Sequence, residues 1–410
     1  MKPIIGYACS LLCLVLIARA QSSNVFYNFS SASGFIVYPS TLVQGTDGNF
    51  YGTITGDFQN NHGSVFRLTP DGTLTTLVTF TGPNGSAPFS TGLLLASDGN
   101  FYGTTQTGGT SNFGTIFKVT PAGALTTLVS FHGTNGHEPE CALVQGSDGN
   151  FYGTTNSGGA NNYGTVFKMT PAGALSTVAS FSLNLTGGYP QAGVVQGSDG
   201  NFYGTNGSGG GGTGTVYKVT PSGTVTVLKV FLGNYPLTGL VQGRDGNLYG
   251  TTQFGGDGMI YQISPAGAYT ALHSFGGVDG NSPQAALIQG RDGNLYGTTY
   301  TGGANNKGTV FSISTAGVFT TLYSFGGPDG ADPSASLLQG IDGNFYGTTV
   351  SGGSTNFGVA FQLVPAQPVP AAPSWAWAVA AAGVLATGYA FIGRKTGTFQ
   401  KRLKEETRRK

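Results

Sequence analysis

The sequence predicts an all-β protein: a seven-bladed β-propeller closed by an N-terminal strand and followed by a C-terminal transmembrane helix. Three observations carry this expectation. Asp-Gly-Asn recurs at Asp47, Asp98, Asp148, Asp199, Asp245, Asp292 and Asp342, at intervals of 46 to 51 residues. Each interval has room for the four short strands of one blade. The seventh copy stops after its third strand, and a stretch with the pattern of the missing fourth strand precedes the first copy.

Composition supports the class. The 410 residues include 71 Gly and 19 Pro, with 12% aromatic and only 9% charged side chains. The aromatic content argues against disorder, because large apolar groups offset the entropy lost on ordering. Glycine shows no G-x-y period, which excludes collagen, and the main body lacks the runs of helix formers that a bundle needs.

Taken from the N-terminus, residues 1–20 read as a secretory signal peptide. Lys2 begins it, Ile4 to Ile17 is mostly apolar, and Ala18-Arg19-Ala20 supplies small-x-small before cleavage at Gln21. Cys9 and Cys13 fall in this segment. Only Cys141 then remains, which leaves no intrachain disulfide.

Residues 21–364 form the propeller. Its repeats lie near 41–80, 91–131, 141–181, 192–231, 239–275, 286–325 and 336–364, the last completed by 24–29. The third repeat shows the pattern. Ala142–Gln145 reads as a first strand, Ser147–Asn150 as a tight turn using the positive φ that Asp-Gly tolerates, and Phe151–Thr155 as a second strand. Ser157–Tyr163 is a Gly/Asn loop, Gly164–Thr170 a third strand, Pro171–Gly173 a turn and Ala174–Phe181 a fourth strand. Blades pack face to face, so both faces of each strand are partly apolar rather than cleanly alternating. Phe29 lies 18 residues before Asp47, just as Phe80 lies 18 before Asp98. Asn24–Phe29 is therefore expected to add to the last blade as its outer strand, closing the ring and covering an open edge.

The unit [LV]-[VI]-Q-G-x-D-G-N-[FL]-Y-G-T-T, followed by G-G-x-x-N-x-G-T-[VI]-F-K and T-P-A-G, resembles the GloVer tandem repeat of bacterial "choice-of-anchor" surface proteins. The resemblance covers about residues 24–364. It implies a secreted or surface propeller and carries no catalytic motif.

Beyond the propeller, 365–374 is a proline-rich linker and 375–392 is a charge-free apolar stretch. At about 1.5 Å per residue that stretch just spans a hydrocarbon core as a helix. Trp375 and Trp377 suit an interface. The tail 393–410 carries eight basic residues against Glu405 and Glu406, which places it on the cytoplasmic side. Proline motif, apolar span and basic cluster together resemble bacterial C-terminal sorting signals, although LPxTG is absent. The expected location is the cell surface, with the membrane as partner through this helix.

The propeller itself holds 8 basic and 15 acidic side chains, a net charge of −7. That balance argues against nucleic acid, whose binding rests on phosphate neutralisation. The seven aspartates read as turn residues, because calcium needs about six to eight oxygens and each copy offers one carboxylate. Tyr51, Tyr102, Tyr152, Tyr203, Tyr249, Tyr296 and Tyr346, four residues after each aspartate, read as blade packing. Gln44, Gln145, Gln196, Gln242, Gln289 and Gln339 form either a polar channel ring or inter-blade hydrogen bonds. His132, His137 and Glu138, near Glu140 and Cys141, are candidate metal ligands on one loop. No cofactor is expected.

Second-to-third strand loops and fourth-to-first connections should share one face and hold the sequence variation. Asn60, His62, Phe113, Tyr163, Tyr189, Tyr235 and Asn306 are the candidate ligand-binding residues there. The leading reading is a noncatalytic binding or adhesion module for a glycan or a surface protein. An extracellular lyase or hydrolase, and a repetitive coat protein, are the alternatives.

Overall fold

The computed structural model describes residues 22–30, 38–56, 62–88 and 92–365. The expected signal peptide, transmembrane helix and basic tail lie outside these residues. Among the described residues no helix is long and apolar enough to cross a membrane.

The fold is a seven-bladed β-propeller, made of seven antiparallel sheets. In the third blade the strands are Val144–Gln145, Phe151–Thr155, Thr165–Met169 and Leu175–Ser180, paired in chain order from the inside outward. The other blades repeat this order. The first blade adds a short strand, Tyr38–Pro39, against Ile54 and Thr55.

The innermost strand is shorter than the sequence suggests, two residues instead of four. The reason is local. Just upstream, a side chain takes over the ladder: Cys141 Sγ accepts from the Thr154 backbone N–H at 3.1 Å. Ser40 Oγ does the same for Thr53 and Thr238 Oγ1 for Thr251. Cys141 is thereby a buried small residue of the core, and burial pushes its thiol pKa up.

The ring closes through the N-terminus. Ser23–Asn28 pairs antiparallel with Val359–Leu363, Ser23 opposite Leu363 and Asn28 opposite Val359. Every outer strand carries a one-residue bulge, which in the third blade falls between Thr177 and Ala179. The N-terminal strand bulges at the matching place, between Val25 and Tyr27. It is therefore a true fourth strand, joined to its blade by hydrogen bonds and packing rather than by a hairpin.

The core sits between blades, as seven hydrophobic clusters with one at each interface. Two aromatic contacts recur there. The turn-following tyrosine packs on the next blade's second strand, as in Tyr102 on Phe151 at 4.2 Å and Tyr152 on Phe202 at 4.1 Å. The phenylalanine ending each outer strand packs on the next blade's third strand, as in Phe181 on Tyr217 at 4.8 Å. Phe29 on Phe66, at 5.9 Å, makes this contact across the seam.

The third-strand ring explains the glycine of Tyr-Gly-Thr. A Cβ on Gly153 would lie 2.6 Å from the Phe167 ring, too close for any side chain.

Candidate functional site

Two opposite faces result from this winding. The Asp-Gly-Asn and Thr-Pro-x-Gly hairpins form a turn face; the second-to-third strand loops and the inter-blade connections form a loop face.

On the turn face the repeated polar groups are already engaged. Asp47 Oδ1 accepts from the Asn49 N–H, while Oδ2 accepts from the Asn49 amide and the Tyr51 hydroxyl at 2.7 and 2.8 Å. The same three bonds recur at Asp98, Asp148, Asp199, Asp245, Asp292 and Asp342. Burial alone would raise the Asp47 pKa, but the bonds from Asn49 and Tyr51 outweigh it and hold it below its ordinary value. Tyr102, Tyr203, Tyr249 and Tyr296 are pushed up, first by burial and then by the hydrogen bond to aspartate.

The glutamines stitch the blades together. Gln145 Oε1 accepts from the Ser97 N–H of the preceding blade at 2.9 Å, and its amide donates to Gly149 O in its own turn. Gln44, Gln196, Gln242, Gln289 and Gln339 repeat this arrangement. Leu95 stands in this position in the second blade, so the interface between the first and second blades lacks the bond. Of the two readings of the glutamine ring, inter-blade bonding is the one realised.

The loop face is built differently. Among the described residues, one connection residue bridges neighbours at five of the seven interfaces. The Tyr189 N–H donates to Tyr163 O in the preceding blade's loop, and Tyr189 O accepts from the Gly207 N–H of its own blade. Glu138, Ser282 and Asp332 do likewise, each at positive φ. The backbone of this face is therefore fixed while its side chains are free to vary.

Three aromatic pairs stand side by side on it. Phe113 packs against His137 at 5.1 Å, Tyr163 against Tyr189 at 5.6 Å, and Tyr235 against Phe254 at 5.7 Å. Each pair joins a loop residue to a connection residue, and together they form an arc over the second to fifth blades. Phe113 is 38% and Phe254 48% exposed. Four sequence-predicted residues, Phe113, Tyr163, Tyr189 and Tyr235, thus come together in one arc.

The others have different positions. Asn60 lies outside the described residues. His62 Nδ1 lies 3.0 Å from Ser86 Oγ, away from the arc in the first blade. Asn306, at φ 55°, turns its side chain inward to accept from the Gly302 N–H and so caps its own loop.

His132 is exposed, with Nδ1 3.1 Å from Thr134 Oγ1, and His137 Nδ1 lies 3.7 Å from Glu138. Among the described residues no three His, Cys, Asp or Glu side chains are placed to hold a metal ion.

A cavity of about 460 Å³ occupies the centre of the loop face, at the mouth of the channel. Glu140, Gln191, Gln253 and Gln284 line it, over small residues such as Ala142, Gly193 and Ala286. Burial and then the neighbouring Glu138 push the Glu140 pKa up, against the hydrogen bond from Gln106. Sequence reasoning missed the three glutamines. Two of them carry a signal, an offset shared with Glu140: Glu140, Gln191 and Gln284 each stand five residues before a repeated glutamine, whereas Gln253 does not.

Comparison with known proteins agrees with this architecture. The family described as the Gloeobacter/Verrucomicrobia repeat matches residues 38–242 and 232–371. No curated protein matches the chain. Among solved structures, the chain is similar to a catalytically inactive histidine-to-alanine variant of virginiamycin B lyase from Staphylococcus aureus with quinupristin. The TM-score is 0.59 at 15% identity, over 84% of this chain and 99% of that one. It is also similar to the extracellular domain of a protein assigned as a hybrid two component system from B. thetaiotaomicron, at TM-score 0.58 and 11% identity, over 84% of this chain and 39% of that one. A puromycin-hydrolyzing peptidase of Mycobacterium tuberculosis follows at 0.54 and 12%, over 76% and 49%. At such identities the likeness shows the fold alone.

Proposed function

The chain belongs to the Gloeobacter/Verrucomicrobia repeat family, and on that footing we propose that it is an exported, membrane-anchored propeller that binds a glycan through its loop face without catalysis. The aromatic arc carries this reading. Phe113, Tyr163, Tyr189, Tyr235 and Phe254 gather partly exposed rings in one arc, and at Phe113, Tyr163 and Tyr189 the backbone is fixed by inter-blade hydrogen bonds. Sugar rings stack on such faces, and a fixed scaffold lowers the entropy lost on binding. Export and anchoring rest on the signal segment and the apolar C-terminal span.

A hydrolase or lyase reading needs acid–base groups that converge. The four histidines do not. His62 is in the first blade, His132 and His137 are on the connection after the second, and His273 is on the outer strand of the fifth, 2.8 Å from Asp279. None of them lines the channel-mouth cavity.

The test is a glycan array probed with the intact protein and with a Tyr163→Ala, Tyr189→Ala, Tyr235→Ala variant. The expected result is selective binding that the triple variant loses. Binding that survives the three substitutions removes the arc from the account.

A further inference from the structure

The channel-mouth cavity is separate from the aromatic arc and has its own chemistry. Three primary amides, Gln191, Gln253 and Gln284, and one carboxyl group, Glu140, line it from different blades. Each amide both donates and accepts, as does a sugar hydroxyl. Among the described residues no lysine, arginine or histidine lines the cavity. An anion entering it would lose its hydration without gaining a cation, which is costly. The volume of about 460 Å³ lies within the range of small-ligand sites.

Glu140 is held in place. The Gln106 amide donates to Oε1 from the second blade, and the Asn156 amide donates to Oε2 from the third at 3.4 Å. Both carboxyl oxygens are thus engaged as acceptors and fixed at the cavity wall. The cavity stays open because one repeat position is always small: Thr41, Ala142, Gly193, Gly239, Ala286 and Ser336 occupy it in six blades.

We propose that this cavity is a binding site for a neutral polyhydroxylated ligand of mono- to disaccharide size, held by Glu140, Gln191, Gln253 and Gln284. The site stands on its own residues and holds whether or not the aromatic arc binds glycan.

Gly239 provides a plug. Its φ is not left-handed, and a Cβ there meets its nearest neighbour, Ala286 Cβ, at 3.4 Å, so a side chain fits the backbone and fills the cavity. Titration calorimetry of the intact protein with cellobiose, N,N′-diacetylchitobiose and digalacturonate tests the proposal, with thermal melts to confirm folding. Saturable binding of at least one neutral disaccharide is expected, with digalacturonate at least about tenfold weaker. Glu140→Ala should weaken binding by about tenfold or more and Gly239→Leu should abolish it, while Val278→Ser, at an exposed position outside both the cavity and the arc, leaves it unchanged. Should Gly239→Leu not fold, Glu140→Ala with the ligand panel decides. Absence of saturable binding to both neutral disaccharides overturns the proposal, as does binding indifferent to Glu140→Ala.

Discussion

The two faces of the ring are made by the same chain passing through the same positions seven times, yet they use sequence in opposite ways. On the turn face each aspartate is engaged by one asparagine and one tyrosine, and each glutamine by the neighbouring turn. A change there strands a polar partner, and the aspartate, asparagine and tyrosine return in all seven blades and the glutamine in six. On the loop face the equivalent work is done by backbone groups, such as Tyr189 N–H on Tyr163 O. Loop caps such as Asn306 still use their side chains, but the bridging connection residues and the last residues of the loops are released from that duty, and the second to fifth blades fill these positions with aromatic rings. Repetition marks where the fold needs a side chain; variation marks where it does not.

The difference can be broken or sharpened by substitution. The largest effect should come from the seam, where the loop and turn faces are joined by a strand from the opposite end of the propeller. Deleting residues 22–30 removes the partner of Val359–Leu363 and the Phe29 contact with Phe66. Calorimetry should then show loss of the cooperative transition; a melt like the parent's would contradict closure by this strand.

Next comes the deletion of one aromatic ring from each setting. Phe181→Ala, at an inter-blade core, should cost about 3–5 kcal/mol, whereas Phe113→Ala, exposed on the loop face, should cost less than about 1 kcal/mol. Denaturant unfolding measures both, and equal costs would erase the distinction between core and surface rings.

A smaller effect, of opposite sign, is expected within the core. Tyr217 and Tyr261 hold the third-strand position that is phenylalanine in the other five blades, and both hydroxyls are buried with no hydrogen-bond partner. Tyr217→Phe should stabilise the protein by about 1 kcal/mol, read as a raised midpoint of unfolding; a lowered midpoint would reveal a partner for that oxygen.

The smallest effect is the pH dependence of the turn face. The carboxyls of Asp47, Asp98, Asp148, Asp199, Asp245 and Asp342 are held low by hydrogen bonds that outweigh their burial, with Lys168 adding to the effect at Asp148. Their contribution is fully present above the ordinary carboxylate value of about 3.9 and is lost as pH falls through the lowered folded values. Stability should therefore decline below about pH 4, and Asp148→Asn should flatten part of that decline in acid titrations followed by circular dichroism.

Much of this fold is written in the order of residues. The Asp-Gly-Asn spacing sets blade number, and the distance from Phe29 to Asp47 identifies the closing strand. The bulges in the outer strands and the hydrogen bond from Ser97 to Gln145 are not legible, because they depend on which residues a neighbouring blade presents. The innermost strand is shorter than its apolar run for a related reason: that Cys141 Sγ replaces a ladder carbonyl cannot be inferred from the run itself. The candidate site is half legible. Rings such as Tyr163 and Tyr189 stand out against the repeat, but their pairing across a loop and the following connection does not. The channel-mouth glutamines converge only once the ring is closed.

Recognition on the loop face is tested most directly by exchanging one loop for another from the same protein. Residues 157–163 and 301–307 differ only in serine for threonine at the first position and tyrosine for lysine at the last. Installing Ser157→Thr and Tyr163→Lys should leave the melting temperature within about 2 °C of the parent while sharply reducing glycan-array binding. Unreduced binding, or a large fall in melting temperature, would mean that this loop serves the fold rather than the ligand.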